Sequence, residues 1–164
     1  MIILGVDPGL SATGYGAINV SGNQLTPLTW GVIRSKGKEL GIRLLNIHQQ
    51  LSQIIDLQRP DIVAVEEVFS GKNPRTAIVM GHARGVILLA VEESGAKLNE
   101  FPTRLIKQSV VGRGGASKQQ VEYMVRRLLN LGTADLAEDA SDALAVAICC
   151  HFKQGVLDKM QVKS

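Results

Sequence analysis

The sequence predicts an α/β fold in which a mixed five-stranded sheet is flanked by helices. The chain opens with three short apolar segments that are separated by turn-forming residues, a pattern typical of an antiparallel meander. Segments with helical periodicity then alternate with two more apolar segments of strand length. A length of 164 residues suits one domain with its own core. We therefore expect a single domain over residues 1–164, whose last ~10 residues form a flexible tail.

The first half of the chain contains four predicted strands and one predicted helix. Apolar residues 2–6 form the first strand, which ends at Asp7 before a Pro-Gly turn. Apolar residues that recur at helical spacing between residues 40 and 54 predict an amphipathic helix that ends before Pro60. The predicted strands cover residues 2–7, 13–20, 28–35 and 61–67.

The second half of the chain alternates predicted helices with one more strand. A loop at residues 69–74 separates it from the fourth strand, and glycines make residues 111–116 a second flexible loop. The predicted elements are a helix at residues 75–94, a strand at 97–101, a helix that begins near Pro102, and helices at 117–131 and 136–152.

The predicted helix at residues 75–94 is apolar on more than one side. Met80 and Ile87 belong to one apolar stripe, while Ile78 and Leu89 lie elsewhere on the helix, and two glycines four residues apart would let another backbone approach closely. Such a helix packs either in the centre of its own core or against a second copy of the chain. Of these two arrangements we favour the homodimer.

Charge is unevenly distributed along the chain, whose formal net charge is +3. Residues 104–127 contain six basic residues and one acid, Glu122. A local excess of this kind favours an anionic polymer such as nucleic acid as the partner, with a solvated helix face as the alternative. Aromatic residues make up only 4% of the chain, which argues against a stacking platform for single strands.

The sequence also indicates the cellular compartment of the protein. Its apolar runs are too short to span a bilayer, and its N-terminus does not have the pattern of a signal peptide. The adjacent cysteines Cys149 and Cys150 are poorly placed to bond with each other, which suits a reducing compartment. A second Cys/His pair at zinc-ligand spacing is missing. We expect a cytoplasmic protein that does not contact membranes.

Acidic residues fall at the ends of two predicted strands and on the last predicted helix. Asp7 ends the first strand and Glu66 ends the fourth, and strand ends beside a switch in strand direction form ligand-binding crevices. Asp139 and Asp142 are three residues apart and therefore share a helical face. Converging carboxylates repel each other unless a divalent cation neutralises them, and hard oxygen ligands suit Mg²⁺ or Mn²⁺. Two such ions, about 3.5–4 Å apart, would clamp the attacking water and the leaving oxygen of a phosphoryl transfer.

Each acid also has a purely structural interpretation. Asp7 before Pro-Gly is a common turn former, and Glu66 or Glu67 could simply face solvent. Asp135 and Glu138 have the spacing of a capping box, which would assign Glu138 to the start of the last helix and remove it from a metal site. Capping leaves the two aspartates that follow unexplained, so the joint pattern favours the metal site.

Five segments of the sequence resemble the RuvC-type Holliday junction resolvases in both residues and order: GVDPG with TGYG, VEEVF with KN, ARG, KQSVVG and DASDALAVA. The resemblance runs from residue 2 to about residue 152. It implies a ribonuclease-H-like fold, a homodimer, and Mg²⁺-dependent symmetric nicking of two strands of like polarity at a four-way DNA junction. It also implies a branch-migration motor similar to RuvA and RuvB as a partner.

The resemblance implies catalytic and metal-binding roles for four acids. Asp7 matches the first catalytic acid of the family, and Glu66, the first glutamate of VEEVF, matches the second. Asp139 and Asp142 match the last two. One or two ions per subunit are compatible with this set. The match agrees with the capping interpretation, which sets Glu138 aside.

The resemblance also implies DNA-binding residues. Lys107 and Lys118 match basic residues near the scissile phosphate, where an ammonium offsets developing negative charge. Phe69 matches an aromatic residue that wedges against junction bases, with a position in the core as its alternative. Arg75 and Arg113 are further candidates for contact with DNA.

Three other functions share parts of this pattern. Sugar-kinase and actin-like ATPases also begin with an apolar strand followed by Asp and Gly, but they need a second subdomain that 164 residues hardly accommodate. A non-catalytic junction-binding protein would not require four acids. A ribonuclease-H-like nuclease that acts on structured RNA is the main alternative, and comparing DNA junctions with RNA hairpins as substrates distinguishes it.

Overall fold

The chain folds as a mixed sheet covered by helices, and the computed structural model describes residues 1–67 and 73–161, with side-chain surroundings up to Gln154. Within these ranges no helix combines the length and the apolar composition needed to cross a membrane. The elements are β1 (Ile2–Asp7), β2 (Ala12–Ser21), β3 (Gln24–Arg34), α1 (Leu40–Gln58), β4 (Ile62–Glu67), α2 (Pro74–Ser94), β5 (Lys97–Pro102), α3 (Thr103–Val111), α4 (Lys118–Leu128) and α5 (Glu138–Gln161).

The five strands form one sheet with the order β3-β2-β1-β4-β5. The first three strands are antiparallel, whereas β4 runs parallel to β1 and β5 runs parallel to β4. Strand β1 therefore has an antiparallel neighbour on one side and a parallel neighbour on the other. Because Val6 pairs with Val65, the next residues, Asp7 and Glu66, lie side by side at the C-terminal ends of these two parallel strands. The predicted mixed five-stranded sheet is confirmed.

The sheet is covered on both faces, and alternate residues of each strand point to opposite faces. Ile3 and Ala64 pack in one core with α3, α4 and α5, whereas Leu4 and Val65 pack in a second core with α1 and α2. Residues 143–150 of α5 are all buried, because this helix lies between the sheet on one side and α3 and α4 on the other.

Two glycines let α5 lie directly on the sheet. A Cβ at Gly5 would overlap the carbonyl oxygen of Ala143 and lie 2.8 Å from the nitrogen of Ala147. A Cβ at Gly14 would overlap the carbonyl oxygen of Asp139. Only glycine leaves room for a backbone at such positions. This close packing brings the first turns of α5 to the end of β1, where Asp7 lies.

Strand β3 is longer than predicted at its beginning. It starts at Gln24 rather than at residue 28, because Ser21 pairs with Gln24 across a two-residue turn. Pro27 is tolerated inside this strand since β3 is at the edge of the sheet. The predicted start of this strand at residue 28 is therefore wrong.

The start of α5 also differs from the prediction. The helix begins at Glu138, so this residue occupies the first helical position instead of the third, and the capping box with Asp135 is wrong. The carbonyl of Ala137 accepts the hydrogen bond from the Ser141 amide (2.9 Å). The backbone carbonyl oxygen of Asp135 instead accepts a hydrogen bond from Nε1 of Trp30 (2.9 Å). The Glu138 side chain is thus available for another contact.

The ends of two helices were predicted incorrectly as well. Helix α5 continues to Gln161 instead of ending at residue 152. Helix α4 ends at Leu128 rather than at residue 131. Asn130 adopts the left-handed conformation (φ 53°), which is incompatible with continuing the helix.

Candidate active site

A cleft of about 180 Å³ opens at the sheet edge where β1 and β4 end. Asp7 is the last residue of β1, and Glu66 is the last but one of β4. The two strands are adjacent and parallel, so their ends present these two carboxylates side by side. Both side chains line the cleft.

Helix α5 brings two further acids to this cleft. Asp142 lines it, with a side chain that is 21% exposed. Asp139 lies one turn earlier on the same helical face, close enough for its charge to raise the pKa of Asp7. The packing of α5 against Gly14 therefore unites acids from three distant segments of the chain.

The carboxylates repel one another in a partly buried site. Burial, followed by repulsion from Glu66, Asp142 and Asp139, raises the pKa of Asp7 to about 8, although the positive charge of Lys118 opposes this shift. Burial is also the main cause that raises the pKa of Glu66 and of Asp142. A proton or a metal cation would each relieve this repulsion.

Two lysines line the same cleft. Lys107 belongs to α3, and its charge lowers the pKa of Glu66 against the larger effect of burial. Lys118 is the first residue of α4; its Nζ donates a hydrogen bond to Oε1 of Glu138 and lies 3.3 Å from Oδ2 of Asp142. The hydrogen bond to Glu138 is the main cause that raises the pKa of Lys118, so its ammonium stays charged.

Thr103 is a cleft residue that the sequence analysis missed. Its Oγ1 donates a hydrogen bond to Oε1 of Glu66. Thr103 opens α3 directly after β5, and β5 pairs with β4 so that Phe101 lies beside Glu66. The hydrogen bond favours the ionised form of Glu66 and holds it in one orientation. No local pattern marks Thr103, because the contact depends on the register of two strands.

Arg43 of α1 was also missed, and it holds the loop that follows Asp7. Its Nη2 donates to the carbonyl of Leu10 (3.1 Å) and to Oγ of Ser11 (2.9 Å), and its Nε donates to Oγ of Ser35 (3.0 Å). These bonds tie the loop to α1 and to the end of β3. In the sequence, Arg43 is an ordinary polar residue of an amphipathic helix.

The donor set of the cleft fits a hard divalent cation such as Mg²⁺, because all four candidate ligands are carboxylates. Burial raises the pKa of Asp7 most, and repulsion from the neighbouring carboxylates, which a cation would relieve, raises it further. Over residues 1–67 and 73–154, no three acidic, His or Cys side chains already lie in a ligating arrangement. Glu66 is engaged by Thr103, and Asp142 lies beside Lys118. These carboxylates would have to turn toward an ion in order to bind it.

The remaining predicted DNA contacts are not gathered in this cleft. Arg75 is exposed in the first turn of α2 and lines a separate hollow with Arg43. Arg113 is exposed in the loop between α3 and α4 and lines another hollow with Tyr123. Phe69 lies outside the described residues.

The fold and the cleft together define a class of protein, the nucleases with a ribonuclease-H-like fold. Carboxylates at the ends of two neighbouring strands and on a helix that crosses the sheet are the common elements of this site. The family model described as crossover junction endodeoxyribonuclease RuvC matches residues 3–151, and the chain belongs to this RuvC family.

Individual relatives match over nearly their whole lengths. The RuvC of Caldanaerobacter subterraneus subsp. tengcongensis is 45% identical over 92% of this chain and 93% of its own. The RuvC of Proteus mirabilis is 48% identical over 95% of this chain and 90% of its own. The protein is therefore classed as a crossover junction endodeoxyribonuclease, within a family of metal-dependent nucleases.

Solved structures give the same result. The Thermus thermophilus RuvC structure has a TM-score of 0.87 at 31% identity and covers 95% of this chain and 96% of its own. A second T. thermophilus RuvC structure, in complex with a Holliday junction substrate, has the same TM-score and identity and covers 94% of both chains. The ribonuclease-H-like fold implied by the sequence resemblance is confirmed.

Proposed function

We propose that this protein resolves four-way DNA junctions during recombination and repair, by Mg²⁺-dependent nicking of two strands of like polarity. One observation carries the proposal: Asp7, Glu66 and Asp142 line the same cleft as Lys107 and Lys118. Sites for a cation and for a phosphate are therefore side by side. The T. thermophilus RuvC that binds a Holliday junction substrate supports DNA junctions, rather than structured RNA, as the substrate.

Asp7, Glu66, Asp139 and Asp142 are the proposed metal ligands and catalytic acids. One or two Mg²⁺ ions, or Mn²⁺ as a substitute, would supply the Lewis acid that activates water and neutralises charge at the scissile phosphate. Burial and, after it, the neighbouring carboxylates raise the pKa of Asp7, and the carboxylate contribution supports this assignment because a divalent cation would neutralise it.

The other groups of the cleft bind and orient. The ammonium groups of Lys107 and Lys118 attract the phosphodiester and offset the negative charge that grows on it in the transition state. Thr103 keeps Glu66 turned to one side of the cleft, and Arg43 fixes the loop after Asp7. The roles of these residues follow from their contacts.

Contacts beyond the scissile phosphate are assigned to Arg75, Arg113 and Phe69. The two arginines are exposed in separate hollows outside the carboxylate cleft, so we assign them to DNA backbone away from the cut. Phe69 keeps its predicted role as a wedge against junction bases on the strength of the family resemblance alone.

A homodimer is supported by the outer face of α2. Ile78, His82, Gly85 and Leu89 recur every three or four residues along this helix, and all four are exposed. Ile78 is 62% exposed and Leu89 is 53% exposed, although the opposite side of the helix is already packed in the core. A two-fold axis on this face would relate two identical active sites, which suits matched cuts in a nearly two-fold symmetric junction.

A branch-migration motor similar to RuvA and RuvB remains a proposed partner, on the family resemblance alone. A cytoplasmic location is proposed because the substrate is cellular DNA. Both buried cysteines, Cys149 and Cys150, are free thiols, which is compatible with a reducing compartment.

The deciding experiment is cleavage of a synthetic four-way DNA junction in Mg²⁺ by the wild type and by Asp7→Asn. Linear duplex and an RNA hairpin are the control substrates. We expect paired, symmetric nicks in the junction, which Asp7→Asn abolishes while junction binding survives. Binding without cleavage by the wild type would reduce the protein to a binding module, and cleavage of the RNA alone would overturn the junction assignment.

A further inference from the structure

We propose that Glu138 is a positioning residue that draws the Lys118 ammonium toward the rim of the cleft and so weakens its contact with Asp142. Asp142 is then easier for a divalent cation to recruit, and the ammonium stays near the mouth of the cleft for the substrate phosphate. The inference deepens the proposed function and rests on it for the role of Lys118. It concerns a residue outside the four family acids, and it follows from one shared ion pair.

The two partners lie at the starts of two adjacent helices. Lys118 is the first residue of α4, whose start is fixed by a reciprocal capping box between Ser117 and Gln120. Glu138 is the first residue of α5, where the helix dipole favours a negative charge. Helices α4 and α5 pack against each other. The backbone therefore places both side chains at the mouth of the cleft.

Burial differs sharply between the two carboxylates that Lys118 contacts. The Glu138 side chain is 65% exposed and the Lys118 side chain is 61% exposed, whereas Asp142 is only 21% exposed and lines the cleft. Glu138 accepts the hydrogen bond from Lys118 Nζ, while Oδ2 of Asp142 lies 3.3 Å away. The ammonium is thus shared between the exposed carboxylate of Glu138 and the more buried carboxylate of Asp142. It lies closer to Glu138.

This sharing matters because an ammonium and a divalent cation compete for Asp142. Without Glu138, the acid that Lys118 still contacts is Asp142, at 3.3 Å, which is itself a proposed metal ligand. The lysine would then move inward and neutralise a ligand. With Glu138 present, Lys118 has an acceptor that no metal ion requires.

The test measures Mn²⁺ binding to the DNA-free protein, from the electron paramagnetic resonance signal of the free ion. We compare the wild type, Glu138→Gln, Lys118→Met and the double variant. Glu138→Gln should weaken Mn²⁺ binding about two- to fivefold, which is the range that an exposed ion pair supports. In the Lys118→Met background the same change should alter binding by less than about twofold, since the competing ammonium is gone.

Glu67→Gln is the matched control variant. Glu67 is exposed and adjoins the proposed ligand Glu66, just as Glu138 adjoins Asp139, so the variant removes the same charge at a similar position in sequence. We expect it to alter Mn²⁺ binding by less than about twofold. An equal loss in Glu138→Gln with and without Lys118, or an equal loss in Glu67→Gln, would show a general effect of charge and overturn the inference.

A conservative variant and the junction assay complete the test. Glu138→Asp keeps the charge and should retain part of the Mn²⁺ affinity that Glu138→Gln loses, whereas a loss as large as that of Glu138→Gln would count against a role for the carboxylate. The metal-binding cycle needs no DNA. If the wild type cuts no junction but the Lys118-dependent loss is present, the proposed function fails and the role of Glu138 toward the metal ligands stands.

Discussion

The backbone carbonyl oxygen of Asp139 lies against Gly14, in the space that a side chain at residue 14 would need. Residue 14 pairs with Asp7 across the β1–β2 ladder, so this contact sets the separation between the first acid and the acids of α5. A glycine in the sheet thus determines the geometry of the candidate active site.

Gly14→Ala should therefore lower activity and stability together. The added Cβ overlaps Asp139 and must push α5 away, which we expect to cost about 1–3 kcal/mol of unfolding free energy, as overpacking does in other cores. Junction cleavage should fall more steeply than junction binding. The measurements are urea denaturation and cleavage rates.

Gly41→Ala provides the control for this substitution. Gly41 lies in α1, and a Cβ there has nothing within 4 Å. It should leave cleavage unchanged and stabilise the protein by about 0.5–1 kcal/mol, because alanine favours helices over glycine. If Gly14→Ala behaved like Gly41→Ala, the close approach of α5 would not control the site.

The metal-free protein should lose stability as the pH rises through the range in which Asp7 titrates. The folded pKa of Asp7 is about 8 and its ordinary value is 3.8, so the folded state holds the extra proton between these values. The contribution of Asp7 to stability is therefore greatest below the lower value and is lost as the pH rises toward the upper one. The raised pKa values of Glu66 and Asp142 act in the same direction.

Asp7→Asn tests this dependence. In EDTA at pH 8 it should raise the Tm by about 3 °C, the shift that roughly 1 kcal/mol produces in a chain of this size. At pH 5 the change should be much smaller, because the wild-type carboxyl is then protonated. Added Mg²⁺ should stabilise the wild type more than the variant. Equal Tm changes at both pH values would contradict the raised pKa of Asp7.

Thr103→Val should impair cleavage by releasing Glu66. Valine keeps the shape of the side chain but removes the hydroxyl that donates to Oε1 of Glu66. We expect the cleavage rate at subsaturating Mg²⁺ to fall about fivefold, which corresponds to about 1 kcal/mol for one hydrogen bond. Thr103→Ser retains the hydroxyl and should keep most of the activity. A serine variant as impaired as the valine variant would point to packing instead.

Leu89→Glu should convert the proposed homodimer into a monomer. Leu89 is 53% exposed on the outer face of α2, and a charge there would be buried without a partner in a dimer. Sedimentation velocity at micromolar concentration measures the change. Leu57→Glu is the control, because Leu57 is 79% exposed on α1. If Leu89→Glu sedimented like the wild type, the dimer axis would have to lie elsewhere.

Much of the fold could be predicted from local patterns. The apolar run that ends at Asp7, the turn after Ser21 and the amphipathic period that begins at Leu40 each involve residues close together in sequence. The apolar run, the turn and the helical periodicity can each be recognised without reference to the rest of the chain. The wrong predictions concern boundaries where local signals are weak, such as the start of β3 at Gln24 and the start of α5 at Glu138.

The sequence by itself determined the carboxylate set and the strand and helix on which each member lies, because acids at strand ends and three residues apart on a helix are visible without coordinates. The tertiary structure alone decided how these acids are held. Thr103 reaches Glu66 across 37 residues, and Lys118 reaches Glu138 across 20. Such contacts depend on the β4–β5 register and on the packing of α4 against α5. No short window of sequence contains both partners, so only the folded chain shows that Lys118 lies between the carboxylates of Glu138 and Asp142.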